Sequence, residues 1–180
     1  MTESHGEERR SFRPGKTAVL GLLLGVALIL GYIEALLPPF TGIPGVKLGL
    51  ANIVTLLTLK LYGRKEALMV LISRILLSGL LFGSLYSILY SLAGGLFAFF
   101  LIAFFLHYPK FSLIGVSVLG AIGHNMGQLI VAMLTVKTLK LVYYGPVLLI
   151  SGLLTGILTG MLAALILKHL RAEDADRLYK

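Results

Sequence analysis

Long apolar runs, broken by brief polar or Gly/Pro-rich interruptions, set the pattern of this chain. They lie at about 17–37, 47–62, 66–84, 86–106, 113–136 and 142–167. Each is close to the roughly 20 apolar residues that an α-helix needs to cross a bilayer. The runs are continuous rather than alternating with period two, which argues against a transmembrane β-barrel. The third and fourth meet near Phe82–Tyr86 almost without a loop, so a tight helical hairpin is expected there. The pattern predicts an all-α membrane protein, a compact bundle of six transmembrane helices over residues 17–168. A short tail, 1–16, precedes the bundle and another, 169–180, follows it. The first run is too long for a signal peptide, and Glu34-Ala35-Leu36 is not a small-residue cleavage site. The two halves share no motif, so an inverted repeat has no support.

Composition agrees with the pattern. Hydrophobic residues make up 57% and charged residues 13%, against about 25% charged in a soluble domain. The chain has no cysteine, which excludes disulfides and thiolate chemistry. The net charge of +8 is an orientation signal rather than a nucleic-acid footprint. Twelve cations fall on one side of the expected bundle: Arg9, Arg10, Arg13, Lys16, Lys60, Arg64, Lys65, Lys110, Lys168, Arg171, Arg177 and Lys180. Lys47, Lys137 and Lys140 fall on the other, and Arg74 lies within a span. The positive-inside rule then puts both termini in the cytoplasm.

The polar residues inside the spans carry the functional signal. An ionisable group in a span costs about 2.5–3.5 kcal/mol on insertion scales, so it usually faces a cavity or a partner. Glu34, Lys47, Asn52, Arg74, His124, Asn125 and Gln128 are the candidates for a binding site. Most lie in the outer halves of their helices, as a pocket open to the outside requires. Ser117, Gly120, His124 and Gln128 share one face of the fifth span. Asn125 is about 100° away and could face a neighbouring helix instead. Each residue also has a plainer explanation. Glu34 and Arg74 could neutralise each other, Lys47 could snorkel to headgroups, and His124 could be a hydrogen-bonded packing residue. The loop Pro38–Val46, PPFTGIPGV, is either a rigid turn or a lid over the pocket. Tyr86, Tyr90, Tyr143 and Tyr144, at the outer span ends, fit an interfacial belt. No His, Asp or Glu stands at metal-ligand spacing from His124, so no metal site and no cofactor is expected.

Small residues recur at four-residue spacing. Gly152, Gly156, Gly160 and Ala164 do so in the sixth span, and Gly21 and Gly25 do so in the first. Such faces let helices approach closely in lipid, either within the bundle or against another subunit. No GxxxxGK[ST] phosphate loop is present, so any ATP hydrolysis belongs to a partner.

Several blocks resemble a bacterial membrane family. They are Tyr32-Ile33-Glu34 followed by Pro38, then Pro44-Gly45-Val46-Lys47-Leu48-Gly49-Leu50-Ala51-Asn52-Ile53-Val54. Ser91-Leu92-Ala93-Gly94-Gly95 and Gly120-Ala121-Ile122-Gly123-His124-Asn125-Met126-Gly127-Gln128 follow, then Tyr143-Tyr144-Gly145-Pro146 with Ser151-Gly152. The resemblance covers roughly residues 17–168 and is to the Gx transporter family, also labelled heptaprenyl diphosphate synthase component I. That family is similar to the substrate-binding S subunits of energy-coupling-factor (ECF) transporters. The resemblance implies a six-helix protein that captures a vitamin-like solute from outside. It also implies a membrane T subunit and cytoplasmic ATPase subunits as partners. By the same analogy, Gly21 and Gly25 would contact the T subunit. The synthase label fits the residues poorly, because Asp174 and Asp176 in the tail are the only aspartates. They cannot build the paired Asp-rich, Mg²⁺-holding motifs of such an enzyme. The alternatives are an accessory subunit of polyprenyl diphosphate synthesis and a membrane component of a flavin- or quinone-linked electron-transfer complex.

Overall fold

A computed structural model describes the backbone of residues 14–36 and 49–178 and the side chains of 15–36 and 49–170. Lys47 and the Pro38–Val46 loop lie outside the described residues. The described chain is all helical: α1 (Pro14–Leu36), α2 (Leu50–Tyr62), α3 (Arg64–Phe82), α4 (Leu85–Phe105), α5 (Leu113–Val136) and α6 (Gly145–Leu178). A short 3-10 helix, Leu139–Tyr144, leads into α6.

Local chemistry explains where the helices begin and end. Gly49 has φ +72, a left-handed conformation that starts α2 at Leu50 rather than at 47. The second helix is therefore 13 residues long. At 1.5 Å per residue it measures about 20 Å, shorter than a 30 Å hydrocarbon core. Gly63, at φ +100, is the single residue between α2 and α3. The expected hairpin of the third and fourth helices is present, with only Gly83 and Ser84 between them. Ser84 and Ser87 form a reciprocal capping box that starts α4. Ser112 caps α5 by accepting from Gly115 N at 3.0 Å. Lys137, at φ 53, ends α5. Three further expected boundaries move. Helix α1 begins at Pro14, before 17. Tyr143 and Tyr144 belong to the 3-10 helix rather than to the sixth run. Helix α6 continues to Leu178, through the segment read as the start of a tail.

Successive helices run antiparallel. Lys16 pairs with Glu66 at 2.6 Å, joining the first turns of α1 and α3. The rings of Tyr32 and Phe82 meet at the other ends of the same helices, 4.8 Å apart. Arg64 Nη2 donates to Ala103 O, tying the start of α3 to the end of α4. Six of the nine described cations, Lys16, Lys60, Arg64, Lys65, Lys110 and Lys168, share this end, and we call it the basic end. The remaining described cations are Arg74, Lys137 and Lys140, away from it.

The main core joins α2 to α6 through Leu56, Leu71, Ile75, Phe99, Ile102, Val116 and Leu167. A smaller cluster of Ala27, Val54 and Val70 seats α1 on α2 and α3. Helix α5 is clasped between α4 and α6. A methyl group at Gly156 would stand 2.5 Å from Val118 Cα, and one at Gly160 2.8 Å from Ile114 Cα. A methyl at Gly127 would stand 2.7 Å from Ala93 O. These glycines let the backbones approach to a distance that no larger residue permits.

The outer surface is apolar. Leu22, Met69, Leu80, Phe100, Leu134 and Leu154 all face outward with more than half their surface uncovered. So extensive an apolar exterior suits lipid rather than water. Helices α1, α4 and α5 and the run Leu139–Leu170 are long and apolar enough to cross a membrane. Length and apolar character together make this a membrane protein.

Candidate functional site

The polar residues of the spans converge. Glu34, Asn52, Arg74, His124, Asn125 and Gln128 all line one interior cavity, which all six helices help to form. Lys47, the remaining candidate, lies outside the described residues. The cavity has room of about 70 Å³ for water-sized groups. Ligand pockets for drug-sized molecules run from about 300 to 1,000 Å³. The space seen here therefore suits a small polar group or a few waters.

Each side chain is held by its helix. Glu34 sits in the last turn of α1, and its Oε1 accepts from Gly49 N, the residue that starts α2. That contact ties the carboxylate to the mouth of α2, one turn from Asn52. Arg74 is in the middle of α3. Its Nε is sealed from solvent and donates to no acceptor among the described residues. A buried guanidinium N–H without an acceptor costs free energy, and an anionic or carbonyl oxygen in the cavity would satisfy it. His124 and Gln128 stand one turn apart on α5. Gly94 of α4 packs on both, since a methyl there would be 2.7 Å from Gln128 Cγ and 3.1 Å from His124 Cε1. Asn125 is turned toward α6, and its Nδ2 donates to Leu148 O at 2.8 Å. It joins two helices while still bordering the cavity.

Hydroxyl groups complete the lining. Ser78, Ser91, Ser117, Thr155 and Thr159 all border the cavity. Ser117 Oγ and Thr159 Oγ1 are hydrogen-bonded across α5 and α6 at 2.9 Å. Ser78 and Ser91 were not singled out from the sequence as site residues. Ser78 lies one turn beyond Arg74, and that i, i+4 relation is the signal that would have marked it. Thr155 and Thr159 adjoin the glycine stripe of α6, and they border the cavity as well. The polar lining thus extends toward the basic end, as far as Ser117 near the start of α5.

The glycine faces divide in two. Gly152, Gly156 and Gly160 are occupied by α5. Around Gly21 and Gly25 nothing of the described chain lies within 4 Å of a built methyl. The described residues contain no group of three or more His, Asp or Glu that could hold a metal ion.

A family model described as heptaprenyl diphosphate synthase component I matches residues 23–166. That span contains every candidate binding residue. No curated protein and no solved structure matches the chain. With four-fifths of its length covered by that match, the chain belongs to the heptaprenyl diphosphate synthase component I family.

Proposed function

We propose that this protein is a transport protein of the membrane, the substrate-binding subunit of an ECF-type uptake system. Its ligand is a small, vitamin-like, anionic or zwitterionic solute. In this reading the bundle makes six passes, with the 13-residue α2 covering only part of the bilayer's depth, both termini are cytoplasmic, and the cavity fills from outside. A membrane T subunit and cytoplasmic ATPase subunits supply coupling, and the open surface at Gly21 and Gly25 is offered to the T subunit. The protein itself catalyses no reaction.

The observation that carries the proposal is the meeting of Glu34, Asn52, Arg74, His124, Asn125 and Gln128 at one cavity inside an apolar bundle. Buried ionisable residues at such a cavity mark a substrate pathway more often than a packing accident. The paired signs of Glu34 and Arg74 favour a ligand with separated charges. A solute larger than the present space enters by parting α1–α3 from α4–α6, since both groups supply the walls.

Native mass spectrometry of the detergent-purified full chain tests this. A retained small molecule, or retained T and ATPase subunits, is expected from wild type. His124→Ala and Asn52→Ala should lose the small molecule while keeping the fold. Normal retention in both variants sinks the site assignment. A second reading is favoured by the family description, namely an accessory membrane subunit of a polyprenyl diphosphate synthase. It predicts that coexpression with a large synthase subunit raises chain elongation, and no rise rejects it.

A further inference from the structure

A second cavity lies at the basic end, with no lining residue in common with the polar one. Lys60, in the last turn of α2, and Lys168, on α6, both line it. Its walls are apolar and aromatic, with Leu106, Tyr108, Phe111 and Leu167 among them. Its volume is about 450 Å³, which falls within the range of small-molecule sites. A smaller cleft of about 230 Å³ adjoins it at Leu106 and adds Arg64 and His107. Among the described residues no carboxylate lines either cavity. Of the two carboxylates whose side chains are described, Glu34 borders the polar cavity and Glu66 is bonded to Lys16.

Two lysines on an apolar surface ordinarily snorkel independently into headgroups. Here they come from helices distant in sequence and line one recess. Such a recess has the two features an anionic amphiphile needs. Ammonium groups in its lining suit a phosphate, and its apolar walls suit the start of a hydrocarbon chain. We propose that this cavity binds the phosphate head of an anionic membrane lipid, with its chain entering along Leu106 and Leu167. The bound lipid bridges α2 and α6 at the end where no hydrogen bond between these two helices is present among the described residues. The site is independent of the solute cavity and does not rest on the transport proposal.

The full chain in phosphatidylcholine nanodiscs doped with phosphatidylglycerol provides the test, read by native mass spectrometry. Wild type should retain one phosphatidylglycerol in preference to phosphatidylcholine. K60Q/K168Q should weaken that retention by about thirty-fold, the ratio expected for two such cations. K60R/K168R should keep it, and K137Q/K140Q, with the same charge change at the opposite end, should leave it unaltered. Equal retention of the two lipids overturns the proposal, as does equal loss in K137Q/K140Q. Displacement of the lipid by millimolar inorganic phosphate would assign the site to a free anion and overturn it too.

Discussion

Gly156→Ala isolates the α5–α6 contact on which the cavity wall depends. Carbon atoms pack without repulsion at about 3.5–4.0 Å. The new methyl would stand 2.5 Å from Val118 Cα and 3.0 Å from Val118 N. Both are backbone atoms, so no rotamer change relieves the clash, and the helices must part by about 1 Å. Overpacking of this kind costs about 1–3 kcal/mol. Parting the helices also stretches the Ser117–Thr159 hydrogen bond, for which interhelical bonds in membranes average about 0.6 kcal/mol. Alanine returns at most about 1 kcal/mol through helix propensity. The net loss is about 1–2 kcal/mol, or about 2–8 °C in melting temperature for a chain of this size. Gly21→Ala is the matched control, because open space surrounds that position. Thermal melts followed by helical circular dichroism in detergent compare the two. If Gly156→Ala melts as high as Gly21→Ala, the close approach of α5 and α6 is wrong.

Asn125→Ala should destabilise the protein by about 0.6–1.7 kcal/mol, because it removes the Nδ2 bond to Leu148 O between two helices. Faster amide exchange in the first turns of α6 would register it, and unchanged exchange would refute the link. Lys16→Ala should cost no more than about 1 kcal/mol, since the Lys16–Glu66 pair is part-exposed at 43% and 22%. Its difference from wild type in a melting experiment should vanish at high salt, and a salt-independent loss would contradict a surface ion pair.

The convergence of the site was legible in the sequence because ionisable groups are so rare in apolar runs. Glu34, Arg74 and His124 stood out against Leu, Ile and Gly, and the i, i+4 relation of His124 and Gln128 put both on one face. The hydroxyl lining was harder to read. Serine and threonine occur throughout membrane helices, where they bond back to their own backbone, as Thr58 does to Val54 O and Thr155 to Ser151 O. Nothing local distinguishes Thr159, which also reaches Ser117, from Thr58, which serves only its own helix. The start of α2 was missed for a different reason. Apolar character continues through Leu48 and Gly49, but the left-handed turn at Gly49 stops the helix there, and hydropathy does not register backbone conformation. The roles of the glycines likewise depended on neighbours. Gly21 and Gly156 have the same sequence signature, yet one faces open space and the other a helix backbone.

Because every helix contributes to the polar cavity, the site cannot exist on a partly made chain. Glu34 and Arg74 are synthesised well before Thr155 and Thr159, the α6 residues that close the far wall. Until α6 inserts, the early charges sit in an incomplete bundle, and Arg74, in the middle of α3, carries a penalty of about 2.5–3.5 kcal/mol on insertion scales. Completion of the last helix is thus coupled to relief of that penalty. A chain shortened within α6 would be left with exposed intramembrane charge, a feature by which membrane quality control could recognise it.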